Sequence, residues 1–122
     1  LNYLNNFRII RYADVLLMAA EANVKATTPN ETKAKTYLNL VRRRAFGDNN
    51  HDISSSGTTL YNDILLERRL ELAMEGDRFF DLVRTGKASA TLGSKFIVGK
   101  HELFPIPQTE IDISGIPQNN GY

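Results

Sequence analysis

The sequence predicts an all-α fold: two helical hairpins, then an irregular proline-rich tail with room for one short β-hairpin. Three observations predict it. Apolar residues recur at i, i+3, i+4 and i+7 over successive stretches of the first 86 residues. Breaker-rich runs (Thr28-Pro29-Asn30, the polar segment from Gly47 to Gly57, and Gly76) separate those stretches. Beyond Ala88 the helical period fades, and Pro105, Pro107 and Pro117 each fix φ and remove a backbone donor.

The first helix is expected over about residues 8–26. On a wheel of 100° per residue, Arg11, Asp14, Glu21 and Lys25 fall within about 80° of one another. The remaining circumference is apolar and alanine-rich, which predicts a helix buried on most sides and closely approached by neighbours. Thr28-Pro29-Asn30-Glu31 then reads as a helix start. Thr28 would cap, Pro29 would take the first helical position, and Glu31 would close a capping box. The second helix is expected to run over about residues 29–45, with Ala34, Tyr37, Leu38, Val41 and Ala45 on its apolar face. A short turn between the two makes a helical hairpin.

The segment Gly47–Gly57 is polar and rich in Asn and Ser, the place where disorder or insertion is expected. Thr58 or Thr59 would cap a third helix over about residues 60–75. Gly76 breaks it, and a short fourth helix over about residues 78–85 stops at Gly86. Residues 87–122 form the tail. Within it, two β-prone runs flank Gly99-Lys100, and Gly at the first loop position suits a type II′ hairpin turn. Two successive helical hairpins suggest a repeat of about 34 residues, without repetition of residue identity. The whole chain is expected to be one domain, 1–122.

Composition narrows the function classes. Fifteen Lys and Arg against fourteen Asp and Glu give a net charge of +1, no electrostatic basis for nucleic-acid binding. Arg42, Arg43 and Arg44 spread over about 200° of their helix, so they cannot form one phosphate-facing stripe. With no cysteine in the chain, disulfides, thiolate metal sites and cysteine nucleophiles are excluded. His51 and His101 lack metal-ligand spacing, and no nucleophile elbow or phosphate-binding glycine loop is present, so no cofactor or metal is expected. No apolar run approaches the roughly 20 residues of a membrane span. The chain opens on Leu1 within a polar-aromatic phrase, which reads as a cut end.

Residues 64–86 carry the densest pattern. Glu67, Glu71 and Glu75 make an i,i+4 stripe, Arg68 borders it, and Arg78 and Asp81 follow Gly76. One reading is a carboxylate pair for glycoside hydrolysis. The preferred reading is a structural ion network of Glu67, Arg68, Glu71, Glu75, Arg78 and Asp81. Every acid has a basic neighbour, which lowers a carboxyl pKa where an acid catalyst needs it raised, and the chain has no Trp to build a sugar platform. Of the aromatic residues, Phe79 and Val83 pair at i,i+4 as core, Tyr3, Tyr12, Tyr37, Phe80, Phe96 and Phe104 read mostly as core, and Tyr61 and Tyr122 are the least committed.

Three phrases together resemble the C-terminal part of SusD/RagB-family proteins. They are Arg11-Tyr12-Ala13-Asp14-Val15-Leu16-Leu17-Met18-Ala19-Ala20-Glu21-Ala22 with Leu38-Asn39-Leu40-Val41-Arg42-Arg43-Arg44-Ala45; Glu67-Arg68-Arg69-Leu70-Glu71-Leu72 with Glu75-Gly76-Asp77-Arg78-Phe79-Phe80-Asp81-Leu82-Val83-Arg84-Thr85-Gly86; and Leu103-Phe104-Pro105-Ile106-Pro107-Gln108-Thr109-Glu110-Ile111 with the terminal Gln118-Asn119-Asn120-Gly121-Tyr122. Asn120 departs from the pattern, where a proline often precedes the final Gly-Tyr. The resemblance implies a tetratricopeptide-like scaffold in an outer-membrane, cell-surface lipoprotein of Bacteroidetes-type bacteria. It implies a non-enzymatic protein that binds an oligosaccharide or other nutrient and delivers it to a SusC-like TonB-dependent transporter. The lipid anchor and most ligand contacts would lie upstream, so no ligand-binding residue carries over to this chain. The reading from a different class is a free-standing helical-repeat module for protein–protein interaction.

Overall fold

The computed structural model describes residues 9–122, so Arg8 and the aromatic Tyr3 lie outside the described residues, while residues 9–11 of the expected first helix are not helical and that helix begins at Tyr12. Six α-helices are present: α1 (Tyr12–Lys25), α2 (Glu31–Phe46), α3 (Gly57–Glu71), α4 (Arg78–Arg84), α5 (Ala88–Leu92) and α6 (Gln108–Ser114), with a 3₁₀ turn at Gly93–Lys95. No strand occurs among the described residues, and the class is all-α as predicted. The chain divides into two compact units, residues 1–75 and 76–122.

In the first unit α1 and α2 pair as a helical hairpin and α3 packs chiefly against α1. Leu16, Leu17 and Ala20 of α1 meet Ala34, Leu38 and Val41 of α2 and Leu60 and Ile64 of α3 in one core. Small Ala20 and Ala34, both fully buried, let the helices approach closely. The helix starts differ from the expected ones. Asn30, not Thr28, caps α2, its side chain accepting from the Lys33 amide at 2.9 Å. Pro29 stays outside the helix. Glu31 is thereby released from a capping box, and its carboxylate accepts the Gly57 amide at 2.9 Å, tying the start of α2 to the start of α3. Helix α3 begins at Gly57, ahead of Thr58 and Thr59, with Ser56 in the cap position. It ends at Glu71 rather than Glu75, and the chain turns through Met74, which takes φ 70°, and Gly76, at φ 96°.

The segment between α2 and α3 is held by side chains. Asn39 donates to the Ile53 carbonyl at 3.0 Å and accepts the Ile53 amide at 2.8 Å. Arg42 donates to the His51 carbonyl at 2.7 Å, and His51 stacks on Phe46 at 4.0 Å. Ser55 donates to Asp63 at 2.5 Å. A polar composition suggested disorder, but these residues supply partners for the backbone groups a loop exposes.

The second unit has its own small core of Leu82, Ala88 and Phe96, flanked by Phe79, Val83 and Leu92. The expected β-hairpin around Gly99-Lys100 is replaced by consecutive turns. The Lys100 and His101 amides both donate to the Ile97 carbonyl, at 3.2 and 3.0 Å, and the Ile97 amide donates to His101 Nδ1 at 3.0 Å. A local imidazole acceptor thus takes the donor that a strand partner would have taken. The tail is less irregular than expected. Pro107 caps α6, which closes on Gly115 in the left-handed region. The terminal residues then fold back: Gln118 makes two bonds to the Ile106 backbone at 2.8 and 2.9 Å, Asn119 donates to the Phe104 carbonyl at 2.6 Å, and Tyr122 to the Leu103 carbonyl at 2.9 Å.

Candidate functional site

The acids at the end of α3 and just after it form ion pairs with arginines of α2 and of the segment before α1. Arg11, preceding α1, donates through Nε to Glu75 at 2.9 and 3.0 Å, through Nη1 to the Glu71 carboxylate at 2.9 Å and through Nη2 to the Glu71 carbonyl at 2.9 Å. Arg44 at the end of α2 joins Glu71 at 2.5 Å. Arg42, about 200° around α2 from Arg44, pairs with Glu67 at 2.5 Å, and that carboxylate is buried. Arg68 pairs with Asp14 of α1 at 2.7 Å, their side chains only 6% and 16% exposed. Arg43 turns to Asp52 in the loop. The three consecutive arginines therefore reach three different acids.

The structure thus joins Glu67 to α2, Arg68 to α1, Glu71 to α2 and to Arg11, and Glu75 to Arg11. Arg78 opens α4 in the second unit and is exposed. Asp81 is buried and binds Arg84 at 2.7 Å, its backbone carbonyl accepting the Thr85 hydroxyl at 2.6 Å. Sequence reasoning did not pick out Arg11, Asp14, Arg42 and Arg44 as members. A signal for the two from α2 was present. Arg42, Arg43 and Arg44 have no acid at i−3 or i−4 on their own helix, so their guanidinium groups must be satisfied elsewhere.

Electrostatics follow from this pairing. Hydrogen bonds from Arg11 hold the Glu75 carboxyl below its ordinary range, and those from Arg43 do the same for Asp52. Glu75 and then Glu71 raise the Arg11 guanidinium in turn. A general acid needs the opposite shift. Glu67, Glu71, Glu75 and Asp14 are each occupied by an arginine within the fold, an arrangement that fixes helix positions. Among the described residues no group of three or more His, Cys, Asp or Glu is placed to hold a metal ion.

Two clefts, each of about 440 Å³, lie in the first unit. One is a polar cleft between α2 and the following loop, lined by Thr32, Lys35, Asn39, Arg43, Asp52 and Ser54 among others. The other is a mostly apolar groove between α1 and α2, floored by Ala13, Leu16 and Val41, walled by Tyr12 and Leu40, with Arg11 and Arg44 at its edge.

The sequence match supplies what this geometry alone does not. Residues 2–101 match the SusD family. Three curated relatives from Formosa agariphila are similar. SusD-like protein P2 is 31% identical across 96% of this chain and 26% of its own length. SusD-like protein P38 is 38% identical across 72% of the chain and 18% of its length. SusD-like protein P25 is 32% identical across 99% of the chain and 26% of its length. The chain therefore spans about a quarter or less of the relatives it matches. No solved structure matches significantly. Hairpin, ion-paired helix ends and folded-back tail all lie on the phrases that carried the resemblance, and with the match running over most of its length this chain belongs to the SusD family.

Proposed function

We propose that the chain is the scaffold part of a cell-surface, outer-membrane-associated protein that binds an oligosaccharide or related nutrient and passes it to a TonB-dependent transporter. The match of residues 2–101 to the SusD family carries this reading. The ion pairs support a scaffold role, because Glu67, Glu71 and Glu75 each pair with an arginine of α2 or of the segment before α1. On this reading the protein is not an enzyme. No described helix is long and apolar enough to cross a membrane, so attachment through a lipid anchor elsewhere in the polypeptide is part of the proposal.

The test uses the complete reading frame. Expressed in its own host, the protein should be removed from intact cells by added protease, co-purify with a TonB-dependent transporter, and bind at least one member of an oligosaccharide panel in calorimetry. A product that stays protease-protected and binds neither would overturn the proposal. A second reading, a free-standing helical-repeat interaction module, draws on the outward apolar surface of α1. A reading frame that begins at or just before Leu1 favours it.

A further inference from the structure

The phrase that folds back onto residues 103–106 contains a reactive pair. Asn120 is followed by Gly121, whereas every other asparagine of the chain precedes a residue with a Cβ. The Tyr122 amide donates to the Asn119 carbonyl at 3.3 Å, so residues 119–122 close a β-turn with Asn120 and Gly121 at its centre. Gly121 takes φ 86° while Asn120 does not take a positive φ, which makes the turn type II. Asn120 is exposed at the tip of that turn. Among the described residues no hydrogen bond holds its side-chain amide, and no backbone acceptor takes the Gly121 N–H. Other asparagines are tied down. Asn119 donates to the Phe104 carbonyl at 2.6 Å, Asn23 to the Ala19 carbonyl at 2.8 Å, and Asn39 bonds twice to Ile53.

We infer that Asn120 is a site of spontaneous covalent modification, deamidating through a cyclic imide with Gly121 and so unfastening the folded-back phrase. The Gly121 nitrogen, deprotonated by hydroxide, attacks Asn120 Cγ. The new N–Cγ bond forms, the Cγ–Nδ2 bond breaks, and ammonia leaves. Water then opens the imide. Attack at Cγ gives aspartate, and attack at the main-chain carbonyl gives an isoaspartyl link that runs through the former side chain. With no Cβ on Gly121, nothing crowds the approach of the two groups. The closed turn opposes it, because ψ of its first central residue stays near about +120° and turns the next nitrogen away from Cβ. Reaction therefore runs through the opened turn, which one long, exposed bond holds shut. An isoaspartyl link adds an atom to the main chain and leaves a free carboxylate, so the same turn cannot re-form. What the turn positions is then lost: Tyr122 Oη donating to the Leu103 carbonyl at 2.9 Å, and the Lys100 ammonium 4.6 Å from the centre of the Tyr122 ring. The inference rests on the turn and stands independently of the nutrient-binding proposal.

The test ages the product of the complete reading frame in sterile buffer from neutral to mildly alkaline pH. Mass spectrometry of the tryptic peptides follows the change from amide to acid at each asparagine. Asn120 should convert at least about tenfold faster than any other asparagine, since a small difference in barrier multiplies a rate. Its rate should rise with hydroxide concentration. Part of the product should accept a methyl group from S-adenosylmethionine in the presence of an isoaspartyl methyltransferase, which ignores ordinary aspartate. A control variant is Asn120→Pro. Proline suits the first central position of a type II turn, and the Asn120 N–H that it removes donates to no backbone acceptor among the described residues. That variant should keep the fold and show neither the mass gain nor the methyl acceptance in the peptide that begins at His101. Conversion of Asn120 no faster than its neighbours would overturn the inference. So would a product that is aspartate alone, the mark of direct hydrolysis without a ring. Persistence of the gain in Asn120→Pro would also overturn it, by placing the reacting amide elsewhere in that peptide.

Discussion

At the residue scale, the side chain with most at stake is Arg68, because it is charged and only 6% exposed. Its bond to Asp14 at 2.7 Å joins α3 to α1 where little water reaches. Removing one member of a buried pair leaves the other desolvated, so Asp14→Ala should cost about 3 kcal/mol of stability. A double change, Asp14→Leu with Arg68→Met, should recover most of that loss in urea unfolding. A double variant no better than Asp14→Ala would contradict the assignment. Glu75 and Asp52 lie at the other extreme. Both are held below the usual carboxylate range by arginine hydrogen bonds, so their folded pKa values are lower than their unfolded ones. Such groups contribute stability above the unfolded pKa and lose it as pH falls through the folded pKa. The urea midpoint should therefore hold from neutrality to about pH 5 and decline below about pH 4, less steeply in Glu75→Gln. An unchanged acid slope in that variant would remove Glu75 from the account. Met74 adds a backbone effect, since φ 70° disfavours any residue with a Cβ. Met74→Gly should raise stability by roughly 1 kcal/mol, and a loss would show that the Met74 side chain contributes there. The acids of this site could be read in the sequence because they recur at i,i+4 on one helix. Arg11, the partner of Glu71, and Asp14, the partner of Arg68, could not, because pairing with a residue so far away in the chain follows helix packing and not helical period.

At the scale of elements, the helices were legible and their ends less so. Ala34, Leu38 and Val41 recur with the helical period and all are buried. The start of α2 was misplaced because Thr28 and Asn30 are both good caps, and the choice depends on where Glu31 is needed. Its carboxylate goes to the Gly57 amide, a tertiary bond that no local rule contains. The loop after α2 was misjudged for a related reason: composition counts polar groups and cannot show that they pair. Asn39 is the clearest case, buried in α2 and making both bonds to Ile53 that a facing strand residue would make. Asn39→Leu keeps the volume and removes both, leaving two backbone groups unsatisfied at a cost of about 2 kcal/mol. Amide exchange at Ile53 should rise sharply while exchange in the middle of α1 changes only through the global loss. Exchange at Ile53 that stays at the global rate would mean the loop is held by its other bonds. The terminal phrase behaves likewise. Gln118, Asn119 and Tyr122 each bond to backbone between Leu103 and Ile106, giving a proline-rich stretch the partners it cannot find in a sheet.

At the scale of the whole molecule, the question is whether ligand capture belongs to these residues. The polar cleft beside α2 is the place to ask, since it has the size of a sugar site. Its lining is Thr32, Lys35, Thr36, Asn39, Leu40, Arg43, Asp52, Ile53 and Ser54, with no aromatic ring among them. Sugars are held by stacking on such rings and by flat polar side chains that face paired hydroxyls. The flat polar groups present are already engaged, Asn39 with the Ile53 backbone and Arg43 with Asp52. A sugar entering would have to break those bonds and would gain no stacking surface in return. The 122-residue chain should therefore bind oligosaccharides no more tightly than about 1 mM, equivalent to about −4 kcal/mol, while the product of the complete reading frame binds its ligand well below that concentration. Calorimetry across one oligosaccharide panel on both proteins checks this. Micromolar binding by the short chain, abolished by Arg43→Ala, would place the capture site in this cleft and reverse the division of labour between scaffold and site.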